Sequence, residues 1–142
     1  MKQFFCLTVG MLLIAAIITT TGCQDPAGHE RAAVSGSVTL DGEPLATGMI
    51  TFIPLGEGTA SSAPIENGQF SMPEETAPSP GKCRVEVTSM QETGKMIPGM
   101  SESGQVPETK QVIPAKYNLN STLEEEISAD GSSVIDIQLT SN

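Results

Sequence analysis

The chain has 142 residues, of which seven are basic and 17 acidic, with three cysteines, one histidine, four phenylalanines, one tyrosine and no tryptophan. A formal net charge of −10 with scattered Lys and Arg argues against nucleic acid as a partner, because such a surface needs clustered cations to neutralise phosphates. The length suffices for one domain with a proper core and is too short for two.

The first 22 residues differ from the rest. Met1, Lys2 and Gln3 precede an almost wholly apolar run from Phe4 to Ile18, and no acidic residue occurs before Asp25. A positive start, an apolar run and a small-residue exit describe a secretory signal peptide over 1–22, expected as a helix. Its apolar run of 15 residues falls short of the ~20 that a helix needs to cross a ~30 Å hydrocarbon core. Removal of this segment leaves six basic and 17 acidic residues, a net charge of −11, with Cys23 at the new start and Cys83 inside. An exported chain stapled by disulfides would normally show an even, spaced set of cysteines, and if Cys23 is modified no internal disulfide is possible.

Thr20, Thr21 and Gly22 are small residues at the expected cut. The segment resembles a bacterial lipobox, with Thr21, Gly22 and Cys23 matching and Thr20 standing where leucine is usual. That resemblance implies lipidation of Cys23 by a diacylglyceryl group plus an N-acyl chain, and a membrane partner reached through this lipid. Each buried methylene contributes about 0.8 kcal/mol, and two or more chains anchor stably. Gln24 after the cysteine implies sorting to the outer membrane in many bacteria. Residues 23–32, ending in "QDPAGHERA", form the lipidated start and a polar tether, and His29 reads as a solvated tether residue rather than a ligand or base.

From residue 33 to 142 the chain reads as short strands separated by turn chemistry, with no window of 3.6-residue apolar recurrence. Val34, Val38 and Leu40 alternate with Ser35, Ser37 and Thr39, and the run closes on Asp41-Gly42, a dipeptide suited to positive φ at both positions. In "TGMITFIP", Met49, Thr51 and Ile53 lie on one side and Ile50 and Phe52 on the other, which predicts burial on both faces, and Pro54 ends the strand. Residues 55–62 read as a loop. A second hairpin is centred on Asn67-Gly68, bracketed by apolar Ile65, Phe70 and Met72, and a proline-rich crossing follows over 73–81. "KCRVEVTSM" alternates cleanly, with Cys83, Val85 and Val87 inward.

Residues 91–112 show no sustained pattern and read as a long structureless loop carrying Met96 and Met100, with Met90 just before it. Ile113, Tyr117 and Leu119 then return as apolar positions. In "TLEEEIS" Glu125 shares a face with Leu123 and Ile127, which predicts an edge strand or a bulge. After Asp130-Gly131, "SVIDIQLT" places Ile135, Ile137 and Leu139 inward. Six or seven short strands without a helix predict an all-β, antiparallel Greek-key sandwich with a mostly aliphatic core.

The segments "VSGSVTLDGEPLATGMITFIP", "ENGQF", "PGKCRVEV", "IPAKYNLNSTLEEEIS" and "IDIQL" together resemble the small bacterial lipoproteins built on a carboxypeptidase-regulatory-like, or transthyretin-like, β-sandwich domain. The likeness runs from about Val34 to Thr140. Asn67 replaces the usual aspartate before Gly68, and Cys83 stands where the family commonly has tyrosine. The resemblance implies an accessory, adhesive or structural module; the chain is expected to need no cofactor and to act through its loops on a protein or glycan partner. Two enzyme classes of related fold do not fit. Hydroxyisourate hydrolases need several histidines and a C-terminal Y-R-G-S, whereas this chain has one histidine and ends "LTSN". Intradiol dioxygenases hold iron with two tyrosines and two histidines, and here Tyr117 and His29 stand alone.

Other chemistry finds no set of residues. A serine hydrolase lacks its base, zinc lacks histidines and cysteines, and no D-x-D-x-D spacing offers calcium a loop. Cys83 reads as a core residue, and Glu74, Glu75 and Glu124 to Glu126 read as a solvated acidic surface. The expectation is a membrane-anchored, non-enzymatic envelope module with no catalytic, metal or cofactor residues; the alternative is an enzyme or metal-dependent site built from the surface carboxylates.

Overall fold

A computed structural model describes residues 30–142, so the expected signal peptide, Cys23 and His29 lie outside the described residues. The described chain is all β, with a single three-residue 3-10 turn at Ala115–Tyr117. Ten strands follow in order: β1 Val34–Leu40, β2 Glu43–Pro44, β3 Thr47–Pro54, β4 Ser61–Glu66, β5 Gln69–Met72, β6 Gly81–Thr88, β7 Met90–Pro98, β8 Gln105–Gln111, β9 Leu123–Ile127 and β10 Ser133–Leu139. Eight of them form one curled sheet in the order β10-β1-β5-β4-β3-β6-β9, with β2 beside β1, and β7 and β8 form a separate pair.

Turn chemistry places the first strands. Asp41 and Gly42 have φ of 53° and 87°, and Asn67 and Gly68 have 50° and 77°, the positive values that tight hairpins require. The two turns are tied together. Gly68 N–H donates to Leu45 O at 2.8 Å, Asn67 N–H to Ala46 O at 2.9 Å, and Val38 N–H to Gly68 O at 2.8 Å. Strands β3, β4 and β5 run as consecutive antiparallel hairpins, and β1 returns beside β5, so β1-β5-β4-β3 is a Greek key. Only Glu66 and Gln69 pair between β4 and β5. At this hairpin the sheet folds over, setting β10-β1-β5 against β4-β3-β6-β9.

The buried face of each layer supplies one aliphatic core. Val34, Val38, Phe70, Met72, Ile135, Ile137 and Leu139 come from one side, and Ile50, Phe52, Ala63, Ile65, Cys83, Val85, Val87 and Ile127 from the other. Phe52 and Phe70 meet across the layers with ring centroids 5.9 Å apart and planes tilted by 41°, an arrangement that ring quadrupoles favour over a face-to-face stack.

Several expectations need correction. The expected sandwich of about seven strands is present as the path β10-β1-β5-β4-β3-β6-β9, to which β2 and the β7–β8 pair are added among the described residues, and one of its pairings departs from the antiparallel pattern: β1 and β10 pair in parallel from Val34↔Ser133 to Leu40↔Leu139. β3 is buried on one face only, with Ile50 and Phe52 fully enclosed and Met49 43% exposed, because no second layer of the described residues covers its outer side. Residues 91–112 are not structureless; most of them form the β7–β8 hairpin. Leu119 is 88% exposed, whereas Ile113 is buried and Tyr117 packs at the core's margin. β9 is an edge strand, as its acidic sequence predicts, with Glu125 on the inner face opposite Cys83. An inward-pointing charge on an edge discourages pairing with another chain.

Gly36 lies between β10 and β5, opposite Ile135 and Phe70. A Cβ there would sit 1.8 Å from the Ile135 carbonyl oxygen, and backbone on that side has nowhere to move without parting β1 from β10. Gly36→Ala is therefore expected to destabilise the domain by about 3 kcal/mol, read from the shift of the urea midpoint at unchanged slope.

Candidate functional site

Three surface features stand out, and the topology decides how they are arranged. The chain enters at one end of the sandwich, where Ala32 N–H donates to Pro78 O at 3.2 Å, Ser133 N–H to Ala33 O at 2.9 Å, and Arg31 Nη1 to Ala77 O at 2.7 Å. The 73–80 crossing and the 128–132 turn share this end with the tether. The opposite end carries the Asp41-Gly42 and Asn67-Gly68 turns, the C-terminus and the root of β7–β8. The length of β6, eight residues, separates the two ends by roughly 25 Å at ~3.3 Å per residue.

The β7–β8 hairpin is the feature that sequence reading missed. Its root is built from polar groups: Gln111 Oε1 accepts from Ser89 N–H at 2.8 Å and Ile113 N–H at 3.1 Å, Ser89 Oγ donates to Thr47 O at 2.6 Å, and Val112 N–H donates to Ser89 O at 2.9 Å. Beyond the root every β7 residue is exposed. Cross-strand pairing puts Met96 opposite Pro107 and Ile97 opposite Val106. The far half of the hairpin is thus apolar on both faces, while its tip is the polar Ser101-Glu102-Ser103-Gly104 turn. A register shift between Glu92 and Met96 and the proline at 107 interrupt both open edges, which blunts them against strand addition.

The second feature is an open groove of about 870 Å³ on the outer side of β1, β5 and β10, reaching the seam where β4 parts from β5. Ser35 and Ser37 of β1 and Gln69 and Ser71 of β5 make its floor; Glu66 of β4 and Asp136 of β10 stand on its walls. Ser37 Oγ donates to Asp136 Oδ1 at 2.7 Å. The side chains of Ser35, Gln69 and Ser71 make no hydrogen bond among the described residues. Among the described residues no lysine or arginine lines the groove.

The third is the C-terminal corner. Tyr117 and Thr140 share a hydroxyl–hydroxyl bond of 3.0 Å, Lys116 Nζ lies 4.9 Å from the Tyr117 ring centroid and also meets the Asn142 carbonyl, and Ser141 N–H donates to Asp41 Oδ1 at 3.0 Å. The Ser141 amide holds the Asp41 carboxyl below its ordinary range, and the bond from Thr140 does the same for the Tyr117 phenol, with Lys116 adding to it. These contacts fasten the end of β10 to the Asp41 turn and the 3-10 turn.

The remaining chemistry-bearing residues are dispersed. Glu74 and Glu75 lie in the crossing at the tether end, and Glu124, Glu125 and Glu126 run along β9 with Lys82 Nζ 3.5 Å from Glu124. Among the described residues no three His, Cys, Asp or Glu side chains come together to hold a metal. Cys83 is fully buried, its thiol facing the Ser79 carbonyl at 3.9 Å.

Burial pushes the Cys83 thiol above its ordinary pKa of 9.0, because the thiolate has no solvation there. The thiol's contribution to stability is complete below about pH 9 and is lost as pH rises through the higher folded-state value. Native protein at pH 8 should leave Cys83 unalkylated by iodoacetamide, and denatured protein should label it fully, as mapped by peptide mass. At the hairpin root, Gln111→Ala strands two amide donors. Amide exchange across β7–β8 should then quicken about tenfold, the equivalent of roughly 1.4 kcal/mol, while core strands keep their protection.

Comparison of the chain with family models, with curated proteins and with solved structures finds no match.

Proposed function

We propose that this protein is a lipid-anchored, non-enzymatic lipoprotein of the cell envelope, a binding or structural module built on a carboxypeptidase-regulatory-like sandwich. The observation that carries the reading is the polarity of the domain: the tether enters at one end, and the β7–β8 hairpin, hydrogen-bonded at its root through Ser89 and Gln111, leaves from the other. Between Cys23 and Glu30 lie seven residue steps, at most about 25 Å of extended chain at ~3.6 Å each. A lipid on Cys23 would keep the tether end close to the bilayer and turn the hairpin away from it. The net charge of −11 after removal of 1–22 supports the same picture, since an acidic body is repelled by anionic headgroups and stands off the surface.

The dispersal of the carboxylates and the open, cation-free groove favour binding over catalysis in this reading. No described residue combines a nucleophile with a base. The hairpin and the groove are the two surfaces a partner would meet, one at the far end and one on the flank.

The anchor is tested by expressing wild type and Cys23→Ala in a bacterial host, with membrane fractionation and intact mass. Wild type should partition with membranes and carry the mass of a diacylglyceryl and an acyl chain; Cys23→Ala should carry neither lipid and leave the washed membrane fraction. Equal retention of both, with no acyl mass on wild type, would sink the reading.

A further inference from the structure

The groove over β1 and β5 has a chemistry that selects among ligands, and we infer that it binds a short stretch of an uncharged glycan. This deepens the reading of the chain as a binding module and rests on it. Three observations lead there.

The first is shape. The floor positions that face outward carry Ser35, Ser37 and Ser71, side chains too small to fill the space above the strands, while Pro64 and Glu66 rise on one side and Val134 and Asp136 on the other. Val134 is 74% exposed despite its apolar side chain, so this wall offers a ligand an apolar edge. A trough bounded by β10 and β4 spans about two to three strand spacings, on the order of 10–14 Å, and the floor runs for roughly 10 Å along β1 and β5. Two or three sugar rings in a row occupy that space. A volume of about 870 Å³ also lies in the ~300–1,000 Å³ range of ligand sites.

The second is the hydrogen-bonding inventory. Serine hydroxyls both donate and accept, the Gln69 amide donates and accepts, and the Glu66 carboxylate accepts only. Those of Ser35, Gln69, Ser71 and Glu66 are unengaged by the described protein, so a ligand would satisfy them without breaking an internal bond. Sugar hydroxyls present the same mixture of donors and acceptors. Two carboxylates and no cation among the described lining residues turn away anionic glycans, so the glycan carries no acidic groups.

The third separates a glycan from an extended basic peptide. At the centre of the floor β1 is paired on both sides, to β10 and to β5, so it has no free backbone ladder for a peptide to join, and β5 meets β4 only at Glu66 and Gln69. Phe70 is 4% exposed and offers no pocket for a peptide side chain. Only two carboxylates face the trough, and Ser37 already holds Asp136, which leaves little to recruit a run of lysines.

The test uses the isotope-labelled full chain in a detergent without a sugar headgroup, followed by amide NMR. Cellotriose, maltotriose and tri-N-acetylchitotriose are titrated separately, with trigalacturonate and tetralysine as controls. At least one neutral trisaccharide should shift the amides of residues 35–37 and 69–71 saturably, with a Kd on the order of 1 mM, and trigalacturonate should shift none. Ser71→Arg projects a long side chain into the trough from an exposed strand position, so it should weaken binding at least about tenfold while the core amides stay in place. Saturable binding that Ser71→Arg leaves unchanged would overturn the assignment. So would no saturable shift from any neutral trisaccharide, or saturation by tetralysine alone. Membrane retention without sugar binding would defeat this inference and leave the anchored-module reading standing; sugar binding by a chain without lipid would do the reverse.

Discussion

The strand on which the rest of the sandwich hangs is β1. It is hydrogen-bonded along both sides, in parallel to β10 over its full length and antiparallel to β5 and then β2 on the other side. Its outer side chains are small and its inner ones, Val34 and Val38, are completely enclosed. Gly36 is what permits this closeness, because the Ile135 carbonyl occupies the place a Cβ would take. The strand therefore joins the first and last segments of the domain, closing a long loop in the chain, and such nonlocal pairing carries a conformational-entropy cost that the shared apolar core must offset.

That core is almost entirely aliphatic, with Phe52 against Phe70 as the aromatic contact. Cys83 fits this design as a small, soft filler near the start of β6. Where backbone groups would otherwise be buried without partners, polar side chains supply them. Buried Asn118 donates to the Ile113 and Pro114 carbonyls and accepts from Leu119 N–H at 2.6 Å, and Ser121 Oγ donates to the Val85 carbonyl. The irregular stretch between β8 and β9 can thus cross the end of the sandwich with its carbonyls satisfied.

The same accounting explains how a hairpin of 22 residues holds its place outside the main sheet. An isolated two-stranded ribbon is marginal in water, yet Ser89 and Gln111 bind the two strand roots to each other and to β3. The hairpin is thereby directed from its base while its outer half stays solvated. Its apolar side chains are spread over both faces, so it is shaped to be surrounded rather than laid flat. The groove on the flank is its opposite in chemistry: concave, hydroxyl-rich and bordered by acids.

What could be read from the residues alone was whatever one-sided burial or turn chemistry writes into a short window. The Asp41-Gly42 and Asn67-Gly68 turns, the inward sets of β6 and β10, the alternation of β1, the buried Cys83 and the edge character of β9 were all legible for that reason, because a half-buried strand must alternate and a tight hairpin must reach positive φ. The β7–β8 hairpin was not legible, since neither face packs on the core and no alternation is imposed on it. The apolar run of β3 imitated a doubly buried strand, and only the tertiary structure shows its outer face open. The parallel pairing of β1 with β10 joins residues 99 positions apart, beyond the reach of any local pattern. The groove follows from it: Ser35, Ser71 and Asp136 read singly as solvent-facing alternates, and it is the packing of their strands side by side that makes them one surface.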